Sequence, residues 1–361
     1  MEKSKIKQCL LGICFFCLLF LSGKQAKAEE FQFYYRFLNE DQRELYDRII
    51  DAAYAYETEV EVNRLSAAQT EQAYLAVYYD HPEIFWLTSG YQYWSDMEEC
   101  VTEIEMAYNT TWEEKEEQSR LIEAAIQEVL YEVDYGQDTY GKIKSVYEYL
   151  IQHIDYEEDS PYNQDIRSVF LNWQSVCTGY AKVMQILLER MGIFCTCVRG
   201  TANGGYHAWN LVQIDGEYYY IDATWGDPVY LNEEDTSNEI DYTYLCCTQE
   251  VLFRTHTPED MAILPECSSE LYNYYMLNGI YLHSGDRDSV YQYVANIIWQ
   301  GGREAVMNFP SEEQYWTAKM ELLEYGLLNE LMDQYLQVYG EEQISFTYET
   351  RDQEFVIRLY W

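Results

Sequence analysis

Hydrophobic residues recur at helical spacing through the first third of the chain. Leu45, Tyr46, Ile49, Ile50 and Ala53 fall on one face, and Asn39 followed by Gln42 has the pattern of a capping box just before them. Glu113 to Leu130 predicts a further helix, acidic on one side. The run Asp80-His81-Pro82-Glu83-Ile84-Phe85-Trp86-Leu87 interrupts this pattern, because Pro82 biases His81 away from helix. Residues 29–135 therefore read as a mostly helical region. From 136 the period changes. Lys142 to Ile154 places Ile143, Val146, Tyr147, Leu150 and Ile154 on one helical face, and Tyr180 to Met191 predicts a second helix stopped by Gly192. Cys195 to Arg199 reads as a strand. His207 to Ile214 and Glu217 to Trp225 read as two more, joined by Asp215-Gly216, a dipeptide that strongly favours a two-residue hairpin turn. Beyond 230 an acidic loop, Leu231 to Asp241, leads into helices and a final hairpin. There Ile344, Phe346 and Tyr348 alternate with polar residues, as do Phe355 and Ile357. The division is thus 29–135, a core at 136–230, and an α+β extension at 231–361.

The hairpin turn fixes a register, and the register places chemistry. With Ile214 opposite Glu217, His207 falls opposite Thr224 and Trp209 opposite Asp222. Residues two apart share a face, so His207 and Asp222 become diagonal neighbours, roughly 7–8 Å apart at the backbone. That is within reach of an imidazole–carboxylate hydrogen bond, which holds the tautomer and stabilises the imidazolium in a catalytic triad. Upstream, Cys177-Thr178-Gly179-Tyr180-Ala181 opens the helix that runs to Met191. The free N–H groups and positive dipole end of a helix start favour a thiolate and can hold a developing oxyanion. Each residue alone has a plain structural reading: a buried thiol, a core histidine, a turn aspartate. The three together, within 46 residues, point to nucleophilic catalysis.

Composition narrows the setting. Lys3, Lys5 and Lys7, the 13-residue apolar run Cys9 to Leu21 and the small-x-small pattern Ala26-Lys27-Ala28 describe a secretory signal peptide over 1–28. The run is short for a membrane span, so no stable membrane insertion is expected after cleavage. Without that leader, 18 Lys and Arg face 62 Asp and Glu, a net charge of −44. Such a field repels nucleic acid and anionic membranes. Seven cysteines remain: Cys100, Cys177, Cys195, Cys197, Cys246, Cys247 and Cys267. The odd count marks one free thiol, which a nucleophile at Cys177 requires. Neither a Cys-x-x-Cys pair nor a His/Cys cluster suggests zinc, and neither metal nor cofactor is expected. Thirty-eight tyrosines suit a folded protein with Tyr-lined cores.

Three segments resemble the Cys, His and Asp motifs of the transglutaminase-like superfamily. They are Val176-Cys177-Thr178-Gly179-Tyr180-Ala181, His207-Ala208-Trp209-Asn210-Leu211-Val212 and Asp222-Ala223-Thr224-Trp225-Gly226-Asp227-Pro228. Order and spacing match the bacterial branch over about 140–230. A weaker likeness extends to Asp80–Leu87, Arg254-Thr255-His256 and Asn273-Tyr274-Tyr275. The resemblance implies an α+β, papain-like core with helices packed on an antiparallel sheet. It implies that Cys177 is the nucleophile, His207 the general base and acid, and Asp222 the orienting carboxylate. The implied reaction is acyl transfer from an amide of a protein or peptide through a thioester. Hydrolysis is favoured over cross-linking, since water needs no second binding site. The alternative is a non-catalytic module that holds cell-surface peptides or glycans; retention of all three residues argues against it. The stretch Asn172-Trp173-Gln174-Ser175 departs from the Gly- or Lys-rich turn frequent before the cysteine, leaving Gln174 and Trp173 as candidates for the upstream oxyanion donor. Trp209, on the triad's face, is a candidate wall of the cleft. No loop has EF-hand spacing, so calcium control is not expected.

The leader reading has a direct test. N-terminal sequencing of protein recovered from culture medium is expected to begin at Glu29. Residues 1–28 still attached, with all material in the membrane fraction, would make the segment a signal anchor.

Overall fold

Short polar side chains set where the helices begin. Asn39 accepts from the backbone N–H of Gln42 at 3.0 Å, and the Gln42 side chain accepts from the Asn39 N–H at 3.1 Å, so helix α1 (Glu40–Ala55) starts on a reciprocal cap. Ser66 with Gln69 and Thr111 with Glu114 do the same for α2 (Ala67–Asp80) and α3 (Trp112–Glu132). The computed structural model describes residues 31–133, 137–227 and 240–361. The leader, Pro228 and most of the acidic loop lie outside the described residues. The chain forms two compact units: one runs to Asp241 and includes His256–Cys267, the other comprises Tyr242–Thr255 and Ser268–Trp361.

In the first unit, the N-terminal region is less purely helical than its periodicity suggests. Strands β1 (Glu59–Leu65), β2 (Leu87–Ser95) and β3 (Val101–Tyr108) form an antiparallel sheet in the order β1-β3-β2. The signal was present as period-two alternation. Val60, Val62 and Leu65 are buried between exposed Glu59, Glu61 and Asn63, and Val101, Ile104 and Met106 are buried on β3. Asp80, at the end of α2, is fully enclosed. It accepts from the backbone N–H groups of Tyr34 and Tyr35, both at 2.9 Å. Burial, set against those two bonds, lifts its pKa to about 6.

The second half of this unit has helices on an antiparallel sheet, the α+β arrangement expected. Helix α4 (Thr139–His153), the short α5 (Ile166–Asn172) and α6 (Cys177–Arg190) accompany a four-stranded sheet in the order β8-β7-β6-β9. Its strands are β6 (Cys195–Ala202), β7 (Gly205–Ile214), β8 (Glu217–Ile221) and β9 (His256–Pro258). A two-stranded parallel pair, β4 (Asp155–Tyr156) with β5 (Gln174–Ser175), lies upstream of α6. The predicted register holds from Ile214 opposite Glu217 to Asn210 opposite Ile221. Asp215 and Gly216 both take positive φ, as the tight turn requires. Buried polar bonds fasten α6 to its surroundings. Asn210 Nδ2 donates to Ala181 O at 2.8 Å, Cys197 N donates to Gln185 Oε1 at 3.1 Å, and Gln185 Nε2 donates to Tyr79 O at 3.1 Å. Each would cost stability if left unmade, so α6 has one seat on the sheet.

The second unit has its own core, with Val290, Val294, Ile298, Met307, Tyr315, Leu331, Tyr335 and Leu359 buried together. Its sheet runs β10 (Glu304–Asn308), β12 (Val356–Tyr360), β11 (Thr347–Arg351), the last two forming the predicted C-terminal hairpin with Arg351 opposite Val356. Cys100, Cys177, Cys195, Cys197 and Cys246 stand as free thiols, although Cys195 and Cys197 share a strand. Among the described residues no helix is long and apolar enough to cross a membrane.

Strand β9 can lie against β6 because Gly200 has no side chain. A Cβ there would run into the Thr257 carbonyl oxygen, with Trp209 Cη2 at 2.7 Å and Pro258 Cα at 2.8 Å. Gly200→Ala is expected to destabilise by about 1–3 kcal/mol, the usual cost of overpacking a close contact. The measurement is the midpoint of urea unfolding; an unchanged midpoint would show that β9 is not held by this contact.

Candidate active site

Cys177 is the first residue of α6 and is 9% exposed. Val176, the residue before it, has extended backbone and makes no side-chain cap. The first helical turn closes through Gly179 N and Tyr180 N, which donate to Val176 O at 3.0 and 3.2 Å. The N–H groups of Cys177 and Thr178 precede these bonds and belong to the set a helix start leaves unsatisfied. Gly179 is required here by packing: a Cβ would strike the Ser175 hydroxyl and stand 2.8 Å from that of Ser168. Those two hydroxyls are themselves bonded at 2.6 Å. The small residue two places after the cysteine thus lets the β5 turn press against the start of the helix.

His207 lies on β7, opposite Gly200 of β6. Asp222 follows the last residue of β8, where the pairing ends. The predicted strand to Trp225 stops four residues early, because Asp222 Oδ1 accepts from Trp225 N at 3.1 Å and the chain turns over its carboxylate. The other oxygen, Oδ2, accepts from His207 Nε2 at 2.6 Å. Both side chains are nearly sealed from solvent, at 2% and 1%. Cys177 stands close enough to His207 to add to the shift of its pKa. With Nε2 taken by Asp222, Nδ1 is the nitrogen left for the thiol. Burial works against a charge on His207, but the Asp222 carboxylate and Cys177 outweigh it and raise its pKa to about 10. Burial likewise pushes Asp222 up, yet the bonds and charges of His207 and His256 hold it well below the usual carboxylate range. Burial raises the Cys197 and Cys267 thiols to about 12, which keeps them protonated and inert.

His256, on β9, is a further member of this group. Its Nε2 donates to the same Asp222 Oδ2 at 3.0 Å, and its ring lies between Trp225 and Trp209, with centroids 4.7 and 5.1 Å away. The sequence carried Arg254-Thr255-His256 as a weak likeness and assigned it no role. No local spacing could do so, since 34 residues separate His256 from Asp222. His207, Asp222 and His256 are close enough to suggest metal ligation. However, ligand atoms about 2.0–2.1 Å from a tetrahedral ion stand roughly 3.4 Å apart. Nitrogens at 2.6 and 3.0 Å from one oxygen are instead spaced for shared hydrogen bonds.

A cleft of about 350 Å³ opens over Cys177, Thr178 and His207. Tyr78, Tyr79 and Ser89 from the N-terminal region line it, as do Gln164, Arg199 and Tyr206. The other sequence candidates sit elsewhere. Trp173 takes left-handed backbone at the end of α5, is half exposed, and lines a separate depression with Val129, Tyr149 and Phe170. Gln174 is committed to β5, where its carbonyl accepts from Ser160 Oγ at 3.0 Å, and it does not line the cleft. Neither is therefore placed as an oxyanion donor; Gln164 is the glutamine at the cleft. Trp209 is 1% exposed and lies beneath the site, its ring nearly parallel to His207 with centroids 6.2 Å apart.

The comparisons with known proteins fall on the same block. A family model for the transglutaminase-like superfamily matches residues 128–223. The chain is 24% identical over 132 residues to kyphoscoliosis peptidase of Mus musculus, a stretch covering 32% of this chain and 19% of that protein. It is 24% identical over 152 residues to cytokinesis protein 3 of Schizosaccharomyces pombe, covering 37% of this chain and 17% of that one. The chain thus spans less than a fifth of the length of either relative. A crystal structure of a TGase is similar over 46% of this chain and 50% of its own, with 15% identity and a TM-score of 0.28. The segment that holds Cys177, His207 and Asp222 matches the transglutaminase-like superfamily.

Proposed function

We propose that this protein is an exported, cysteine-dependent acyl-transfer enzyme that hydrolyses peptide or side-chain amides through a thioester on Cys177. The observation that carries the reading is the chain of contacts from Asp222 through His207 to Cys177, at the base of an open cleft. In the first step the Cys177 thiolate, its proton already resting on His207 Nδ1, attacks the amide carbonyl carbon. The N–H groups of Cys177 and Thr178 receive the developing oxyanion, as a helix start can. The C–N bond then breaks and His207 returns the proton to the leaving amine. Water then attacks the thioester, giving its proton to the now neutral His207; the C–S bond breaks, the acid leaves and the thiolate–imidazolium pair is restored. Asp222 holds Nε2–H throughout, so that Nδ1 always faces sulfur, and His256 holds Asp222. An amine in place of water would give a cross-linked product. Hydrolysis is the simpler outcome, and a relative named a peptidase supports it. The leader at residues 1–28 supports an extracellular site of action.

Two measurements test this. Incubated with a protein mixture, with and without a primary-amine probe, the wild type is expected to release cleavage or deamidation products and Cys177→Ala to release none. Amine incorporation without hydrolysis would make it a cross-linker. Retention of peptides with no turnover by either protein would make it a binding module.

The pH profile tests the Asp222–His207 relay. A histidine with pKa raised to about 10 still carries its proton at neutral pH and loses it only as pH rises through 10. The alkaline limb of kcat is therefore expected near pH 10 rather than 6.5. Asp222→Asn removes the carboxylate that raises His207, so that limb should move to lower pH and kcat should fall by about 10²–10⁴. His256→Phe keeps an aromatic ring between the tryptophans and removes one donor to Asp222, so it should shift the limb in the same direction with a smaller loss. A folded Asp222→Asn protein with wild-type turnover and profile would remove the proposed relay.

A further inference from the structure

The cleft is the exception in an acidic molecule. The chain carries 63 Asp and Glu against 23 Lys and Arg. Among the described residues, no carboxylate lines the cleft over Cys177, whereas Arg199 does. Arg199 projects from β6 beside the site, adjacent to Gly200 and opposite Ala208 on β7, and it is about one third exposed. Glu259 pairs with its guanidinium, with Oε2 2.8 Å from Nε. Nη1 makes a long bond of 3.4 Å to the Tyr79 hydroxyl, itself part of the cleft wall. Nη2 makes no hydrogen bond among the described residues. A second cation stands behind the same wall. Lys182, on α6, is 3% exposed, and its Nζ lies 3.3 Å from the centre of the Tyr78 ring. No carboxylate is within ion-pair distance of it among the described residues. Burial lowers its pKa to about 8, so it remains largely charged at neutral pH. An unpaired buried ammonium is costly unless something offsets it. Here the face of Tyr78 does so in part, and an anion in the cleft would add to that.

We infer that the cleft selects an acyl donor carrying a carboxylate close to the amide that is cut, such as an acidic side chain or a free chain terminus, with Arg199 as the specificity-determining residue. This rests on the reading of Cys177 as the nucleophile. The guanidinium offers planar donors on the side turned from Glu259, and a carboxylate is the group that matches two such donors at once. Lys182 contributes field through the Tyr78 ring and no direct contact. A substrate with a cationic group at that position would meet both charges and be disfavoured.

The test uses two small alkylating agents that differ in charge and not in chemistry. Iodoacetate transfers a carboxymethyl group and iodoacetamide a carbamoylmethyl group to the Cys177 sulfur, each forming an S–C bond as the C–I bond breaks and iodide leaves, and the site of modification is read by mass spectrometry. The ratio of the two rate constants cancels any general change in thiol reactivity. Wild type is expected to favour iodoacetate more than Arg199→Gln does, by about two- to fivefold, the scale of one partly exposed charge pair. Arg199→Lys should keep most of the preference, and added salt should reduce it. Equal ratios in the wild type and Arg199→Gln, both with reactive Cys177, would overturn the carboxylate preference and leave the nucleophile intact. A Cys177 that reacts with neither reagent faster than an unfolded thiol would overturn the nucleophile reading, and this inference with it.

Discussion

One buried carboxylate organises the site. Asp222 is 1% exposed and ionised, a state the protein interior tolerates only when the charge is met by donors on every side. Three are supplied: His207 Nε2 at 2.6 Å, His256 Nε2 at 3.0 Å and the Trp225 backbone N–H at 3.1 Å. Each comes from a different piece of chain, namely β7, β9 and the turn after β8. Meeting the charge of Asp222 therefore fixes those three pieces relative to one another. The same charge keeps a proton on His207 well into alkaline pH and orients its other nitrogen to the thiol. Stability and the geometry of the proposed triad thus draw on one set of bonds, and removing one partner would leave a buried charge uncompensated.

Around that carboxylate, close approach matters as much as polarity. Gly200 lets β9 lie against β6 and brings His256 into range, while Gly179 lets the β5 turn press on the first turn of α6. Trp209 and Trp225 flank His256 and exclude water from the Asp222 network. The cleft is a composite. Its floor comes from α6 and β7, but one wall comes from the end of α2 and from β2. The N-terminal region therefore belongs to the site and is not merely attached to the core, as the bond from Tyr34 Oη to Cys197 O at 2.7 Å and that from Gln185 to Tyr79 O also indicate.

The resemblance to transglutaminase-like proteins supplied roles for Cys177, His207 and Asp222; the bonds in this chain give a physical reason for the order of those residues. A helix start supplies the thiol, a central strand the imidazole, and a hairpin end the carboxylate. Each is a place where the backbone itself fixes the direction of a short side chain. By contrast, nearness in sequence to Cys177 does not bring Trp173 and Gln174 to the cleft. The left-handed turn at Trp173 and the pairing of β5 send them elsewhere.

What the sequence alone determined were features set by neighbours a few residues apart. The caps at Asn39, the start of α6 at Cys177 and the Asp215-Gly216 turn are local, and the pleat carried the register from that turn as far as Asn210 and Ile221. From that register the meeting of His207 with Asp222 was legible. The early end of β8 was not, because a tertiary bond from Asp222 to Trp225 N competes with further pairing. The alternation of strands β1 to β3 is present in the sequence, but the flanking helical stretches dominate the pattern of that region. His256, Tyr78, Tyr79 and Arg199 joined the site only through tertiary packing. No periodicity relates residues 34 or 100 positions apart, and their contacts arise only when separate faces are buried together and buried charges must find partners.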